Sequence, residues 1–188
     1  LDALMDKAPA PSVSDIVQAV KKAKTDSRIK GIYIEAGLFA ADSYASMEAV
    51  HDALADFRKS GKWIIAYGDS YTQGAYYIAS TASKLYLNPQ GQIDWHGLSA
   101  QKLYFKDLLA KFGVKIQVAK VGTYKSATEM FTADKMSDAD RAQTTAYIGA
   151  IWKNITAAVS KSRNIPVARL NQLADSMIVL ADPTDYVK

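Results

Sequence analysis

The stretch Lys115-Ile116-Gln117-Val118-Ala119-Lys120-Val121-Gly122-Thr123-Tyr124-Lys125-Ser126-Ala127-Thr128-Glu129 organises the reading of this chain. Residues Lys115 to Val121 read as a strand. Gly122 then lets the backbone turn sharply, and a helical segment opens near Ser137-Asp138. A loop held between two rigid elements is where functional side chains are usually displayed. This one carries Lys125 between the hydroxyl residues Thr123 and Ser126, with Tyr124 beside it. Most lysines are solvated surface charges, so Lys125 takes its meaning from the pattern around it.

Working outward, Leu1 to Pro11 is a lead-in punctuated by Pro9 and Pro11. Ser12 or Ser14 caps a helix whose apolar stripe of Ile16, Val17 and Val20 runs to about Lys24. Ile29 to Glu35 reads as a buried strand, rich in β-branched residues and tyrosine. The loop Ala36 to Tyr44 follows, then a helix from about Ala45 to Ser60 with Met47, Val50, Leu54 and Phe57 at helical spacing. Gly61 stops it, and Trp63 to Tyr67 is the next strand. Gly68 to Ser80 reads as a tight turn into a short helix packed under the sheet, and Lys84 to Leu87 as a short strand closed by Asn88-Pro89-Gln90-Gly91. A strand or turn surrounds Ile93 to Leu98, and a helix from about Leu103 to Lys111 precedes Gly113. Beyond the Lys125 loop, a long helix runs from about Asp138 to Lys161 with Ile148, Ile151, Trp152, Ile155 and Val159 on one side. Ile165-Pro166 opens a last short helix, the proline being suited to its first turn. Strands alternating with helices predict an α/β domain with a mainly parallel sheet, a single domain over residues 1–188.

The composition is that of an ordinary globular domain, with 49% hydrophobic and 22% charged residues in 188. A chain of this length buries about two-thirds of its unfolded surface and needs no metal or disulfide to hold it. The absence of cysteine removes disulfides, thiolate metal sites and a cysteine nucleophile together. The net charge of +4 is spread out, and Lys21, Lys22 and Lys24 fall on an amphipathic helix. That is helix-surface charge rather than the clustered Arg/Lys of a nucleic-acid site. No apolar run of about 18 residues is present. The chain begins at Leu1 without methionine and is expected to be trimmed, so a missing leader or anchor is not read as a compartment signal.

This order of elements resembles the signal peptide peptidase A family, the S49 serine–lysine peptidases with a Clp-protease/crotonase-like ββα-spiral fold, and most of all the amino-terminal half of its long, two-halved form. Four stretches carry the resemblance in the same order over nearly the whole chain: Gly31 to Glu35; Ser60-Gly61-Lys62-Trp63 through Ser70 to Ser80; Leu87-Asn88-Pro89-Gln90-Gly91 with His96-Gly97; and Val121 to Ala127. The Gly-Thr-Tyr-Lys-Ser-Ala block is the most specific. The resemblance implies that Lys125 is the general base that takes a proton from an attacking serine. Such chemistry is coherent, because burial in an apolar cleft lowers a lysine's pKa from about 10.4 toward neutrality. An amine poised there activates a hydroxyl with no histidine. The hydroxyls of Thr123 and Ser126 are placed to orient it.

The departures from the family pattern matter equally. Where the catalytic half has its serine before a Gly-Gly-Tyr turn, this chain reads Thr72-Gln73-Gly74-Ala75-Tyr76, with Gln73 in the serine's place. The glycine-rich oxyanion segment is replaced by Glu35-Ala36-Gly37-Leu38-Phe39-Ala40-Ala41-Asp42. The chain is therefore expected to hold a base but no nucleophile, to be inactive alone, and to meet a serine outside these residues. The resemblance further implies apolar or signal-peptide substrates, a carboxy-terminal catalytic half, homo-oligomers, membrane attachment through a segment outside this chain, and the periplasmic face of the bacterial inner membrane. No cofactor, metal or nucleic acid is expected; His51 and His96 stand at no telling spacing from a carboxylate. Ser70, Ser80 and Asp69 read as capping or core groups. Tyr71, Tyr76, Tyr77 and Tyr86 suit either a peptide groove or sheet packing. Two rivals stand beside this reading: a scaffold half in which Lys125 is vestigial, and a crotonase-like acyl-CoA enzyme, for which no acidic base and oxyanion pair is found.

Overall fold

The computed structural model describes residues 11–35, 41, 43–119, 121–122 and 124–180. In chain order the elements are α1 (Val13–Thr25), β1 (Gly31–Glu35), α2 (Tyr44–Arg58), β2 (Trp63–Gly68), α3 (Gln73–Ala79), β3 (Lys84–Leu87), β4 (Gln92–Asp94), α4 (Lys106–Lys111), α5 (Glu129–Thr132), α6 (Asp138–Arg163), α7 (Val167–Asp175) and β5 (Ile178–Leu180). They fall into two compact units, Leu1–His96 with Ile155–Lys188, and Gly97–Asn154.

The first unit is built on β1-β2-β3, a parallel sheet in the expected α/β order. Its alternation is set by register: Ile32 pairs with Ile64, and Ile34, Ala66 and Leu85 lie side by side. Ile64 and Ala66 are fully buried on that face. Helix α1 starts with a capping box in which the Ser12 hydroxyl accepts from the Asp15 N–H and the Asp15 carboxylate accepts from the Ser12 N–H. It is fastened to α2 by Lys24 Nζ, 2.6 Å from Asp56. The ammonium of Lys62 donates to the carbonyls of Ala23 and Asp26 at 2.7 Å each, satisfying the C-terminal end of α1.

Helix α3 is the centre of this unit. Thr72 caps it through the Ala75 N–H, and Ala75, Tyr76, Tyr77, Ile78 and Ala79 are all buried. Tyr71 and Trp95 pack edge-on against Tyr76, with ring centroids 6.4 and 5.5 Å away. The Tyr71 hydroxyl donates to the Tyr86 carbonyl at 3.0 Å. Tyr71, Tyr76 and Tyr77 are thus core residues and not the wall of a groove; Tyr86 remains half-exposed. The Trp95 indole N–H donates to the Leu170 carbonyl at 2.8 Å, tying α7 to this core.

Strand β5 is the element the sequence did not announce. It pairs antiparallel with β4, Ile93 opposite Val179, and is only three residues long. The opposite discrepancy is the Lys115–Val121 segment. It is irregular at residues 114–119 and 121 and exposed throughout those positions, with Lys120 outside the described residues. Its alternating Val114, Ile116 and Val118 suit a half-buried strand, but no described strand pairs with them, and propensity alone does not make a sheet. Helix α4 begins three residues later than expected, and most of the 1–11 lead-in lies outside the described residues.

His51 is structural. Its ring is buried on α2, stacked 4.5 Å from Tyr77, with Nδ1 3.4 Å from Asp52 and Nε2 unpartnered among the described residues. Burial pushes its pKa below the ordinary 6.5, with the Asp52 carboxylate acting the other way. The unfolded chain therefore binds the proton more readily, and stability present above about pH 6.5 is lost as pH falls toward the folded value. Thermal unfolding of wild type and His51→Phe at pH 7.5 and pH 5 should show wild type losing more Tm on acidification than the variant; equal losses would exclude His51 as the source. Gly91 offers a second check, since a Cβ there would sit 1.9 Å from the Asp69 carbonyl oxygen. Gly91→Ala should lower stability by about 1–3 kcal/mol, as overpacking does, read as a lower unfolding midpoint in urea.

Candidate active site

In the second unit, Gly122 turns the chain with φ +101°, a conformation glycine adopts freely. Tyr124 and Lys125 follow on the surface, and a 3-10 turn over Ser126–Thr128 leads into α5. The Lys125 amine is exposed and makes no hydrogen bond or ion pair among the described residues. Lys106 is bound to Asp134 at 2.8 Å and Lys102 to Asp140, while Lys111, Lys115 and Lys135 are exposed and unbonded like Lys125 among the described residues. The apolar burial expected of a lysine base is therefore not supplied by the residues described.

Ser126 does not orient the Lys125 amine. Its hydroxyl donates instead to Asp140 Oδ1 at 2.8 Å. Asp140 has only 3% of its side chain exposed and receives Lys102 Nζ on both carboxylate oxygens, at 2.6 and 2.7 Å. Lys102 first, and the Ser126 hydroxyl second, hold the Asp140 carboxyl below its ordinary range. The Asp140 N–H donates to the Ser137 hydroxyl at 3.2 Å, and that hydroxyl donates to the buried Glu129 at 3.0 Å. The pattern Ser137-x-x-Asp140 reads in sequence as an ordinary helix cap. It was the one available signal for Asp140, and it gave no hint that the carboxylate turns to Lys102 and Ser126. Thr123 lies outside the described residues.

In the first unit, Gln73 begins α3. Its side-chain carbonyl accepts the His96 main-chain N–H at 3.1 Å, so the residue expected at the serine's place joins the head of α3 to His96. An amide carbonyl held this way has no nucleophilic chemistry. Asp69 does not cap α3, a role taken by Thr72. It accepts from Asn88 Nδ2 at 3.0 Å and from the Tyr67 hydroxyl at 2.8 Å, and these bonds lower its pKa. The Ser80 hydroxyl donates to the Tyr77 carbonyl in the core. The replaced oxyanion segment, residues 36–40 and Asp42, lies outside the described residues. Among those described, no group of three or more His, Asp or Glu converges on one point, and no helix is long and apolar enough to cross a membrane.

Comparison with known proteins gives a consistent set. The profile of peptidase family S49 matches residues 56–184. Protease 4 of Salmonella typhi is 43% identical over 173 residues, covering 92% of this chain and 28% of that protein. Protease 4 of Haemophilus influenzae is 40% identical over 159 residues, covering 85% of this chain and 26% of its own length. The chloroplastic serine protease SPPA of Arabidopsis thaliana is 25% identical over 149 residues, covering 79% of this chain and 22% of its own. The chain thus spans about a quarter of the length of the curated relatives it matches. Among solved structures, an enoyl-CoA hydratase/isomerase family protein from Silicibacter pomeroyi aligns over 90% of each chain at 14% identity and a TM-score of 0.36. DspI of Pseudomonas aeruginosa aligns over 89% of this chain and 78% of its own at 13% identity and 0.36. Likeness at that level does not bear on function.

Lys102→Met keeps the stem and removes the charge facing Asp140. It should destabilise the second unit by about 1–3 kcal/mol, the cost of stranding a buried hydrogen-bonding group. Because the Asp140 pKa is depressed in the fold, the stability it brings is present above its ordinary 3.8 and fades as pH falls below that. The difference between wild type and variant in chemical denaturation should accordingly be full at pH 7 and shrink at pH 3. A pH-independent difference would assign the effect to packing alone.

Proposed function

The chain belongs to peptidase family S49, and from that membership we propose that it is the amino-terminal, non-nucleophile half of a serine–lysine endopeptidase. On this reading Lys125 is the general base, and the serine lies outside these residues. The observation that carries the reading is that the most family-specific block presents an unbonded lysine while the expected serine position holds Gln73. Lys125 makes no bond among the described residues, as Lys111, Lys115 and Lys135 make none, so its family-specific block and not its free amine singles it out. Gln73, at the serine's position, is occupied in a structural bond.

In the proposed reaction the Lys125 amine takes the serine Oγ proton as that oxygen attacks the substrate carbonyl. The ammonium returns the proton to the leaving amine, giving an acyl-enzyme that water then hydrolyses with Lys125 again as base. A lysine does this near neutral pH only once it is desolvated. The element that brings the serine would also cover Lys125, which agrees with the exposure of that side chain here. Two features support such covering partners, both the carboxy-terminal half and further copies in a homo-oligomer. One face of the parallel sheet carries Tyr33 and Tyr86, 57% and 50% exposed, whereas parallel sheets are normally covered on both faces. In the second unit, Leu103, Phe112 and Val121 are exposed as well. The substrate class proposed is the apolar peptide, cleaved signal peptides above all. The setting proposed is the periplasmic face of the bacterial inner membrane, reached through a segment outside this chain, with no nucleic acid or cofactor involved.

A scaffold half in which Lys125 is vestigial makes the opposite prediction. Peptide hydrolysis by the full-length protein should fall by about 100-fold or more on Lys125→Met, the scale of general-base catalysis, with assembly size unchanged. Hydrolysis at the wild-type rate would remove Lys125 from the chemistry and leave the scaffold reading.

A further inference from the structure

Among the described residues of the second unit, the only two that are buried are Glu129 and Asp140. Burying acids while leucines, phenylalanines and valines stay exposed is the reverse of the usual order. A carboxylate is kept in such a place only when it is paired and fully hydrogen-bonded, as Asp140 is. Its Oδ1 accepts from the hydroxyl of the residue next to Lys125, at 2.8 Å, and both its oxygens face Lys102. Its own N–H is fixed by Ser137, which is bonded in turn to Glu129 at the start of α5. The Lys125 loop is therefore gripped on its C-terminal side at two points, Ser126 and Glu129, by groups at the start of α6. On its N-terminal side it has Gly122, whose backbone conformation restrains it least.

Given Lys125 as the base, we infer that Ser126 and Asp140, with Lys102 behind them, are positioning residues that fix the backbone from which Lys125 projects. The tether acts on the loop and not on the amine, so Lys125 stays free to exchange its proton. A bond made to the amine itself by Asp140 would have held it as an ammonium. Placing the carboxylate one residue along, on Ser126, gives the loop a fixed geometry while Lys102 absorbs the negative charge. Each partner has a separate duty: Ser126 holds the loop, Asp140 is the anchor, and Lys102 keeps the anchor charged and in place.

The test is steady-state hydrolysis of an apolar peptide by the full-length protein as a function of pH, for Ser126→Ala, Ser126→Thr, Asp140→Ala, the Ser126→Ala/Asp140→Ala pair and Lys125→Met. Ser126→Ala should lower kcat about 10- to 100-fold, the range expected when a reacting group is displaced by about 1 Å. Its acidic limb in kcat/KM should also move to higher pH, as a loosened Lys125 samples water. A mere loss of folded protein lowers the plateau and leaves the limb in place. Ser126→Thr keeps the donating hydroxyl and should restore most of the rate. Asp140→Ala should behave like Ser126→Ala, and the pair should lose little more than either single change, since both remove one bond. If Asp140→Ala does not fold, Ser126→Ala and Ser126→Thr decide alone. An inactive Lys125→Met beside a Ser126→Ala of wild-type rate and limb would overturn the tether and leave the base in place. So would effects that multiply in the pair, or a Ser126→Thr as impaired as Ser126→Ala. A fully active Lys125→Met would overturn the base itself, and the tether with it.

Discussion

The constraint on which the first unit depends is the burial of α3 from Ala75 to Ala79. A seven-residue helix is too short to be stable by itself. This one persists because Thr72 closes its first turn and every residue from Ala75 to Ala79 is covered. The coverage fixes its surroundings. The sheet must turn its Ile64 and Ala66 face inward, Tyr71 and Trp95 must close edge-on against Tyr76, and His51 must stack on Tyr77. The buried rings retain their hydroxyl protons, as the pKa of Tyr76, pushed up to about 12 by desolvation, reflects. With the helix locked, its first residue is locked too, and that residue is Gln73.

The second unit obeys a different physics. Among its described residues no apolar side chain is fully buried, and charge and hydrogen bonds gather around Asp140 and Glu129, with Lys106–Asp134 at the edge. Networks of this kind specify geometry more than they add stability. They suit a loop that must present one side chain in a set direction. They also leave apolar residues such as Phe112 and Val121 at the surface, as the proposed association with a partner would require.

What was legible in the sequence divides along the same line. Where apolar spacing and caps act locally, as in α1, α2, β3 and α6, the residues name their own structure: Ser12 and Asp15 form their box, and Phe57 and Leu54 fall inside. The parallel order followed from strand–helix alternation. Strand β5 and the Lys115–Val121 segment were not legible, because strand formation is decided by a partner distant in sequence. Ile178–Leu180 finds β4, and the more strand-like segment finds nothing among the described residues. At the candidate site, Lys125 was singled out by its motif block. Asp140 was hidden because its local pattern already had a sufficient explanation as a helix cap. Ser126 was assigned to the nearest group in sequence, whereas its true partner is fourteen residues away.

These two behaviours bear on why a half-site would be split from its nucleophile. A serine at the head of α3 would sit on a helix buried from Ala75 to Ala79, and here that position is a glutamine bonded to the His96 N–H. The lysine loop sits on a polar network with little apolar cover of its own. A lysine base needs desolvation to lose its proton, and a region whose described residues bury no apolar side chain supplies little of it. On the proposed reading, basicity would then be conditional on assembly, the exposed Lys125 amine becoming an acceptor only once it is covered. Separating the rigid positioning of the loop from the apolar covering of its amine would confine peptide-bond chemistry to the assembled particle.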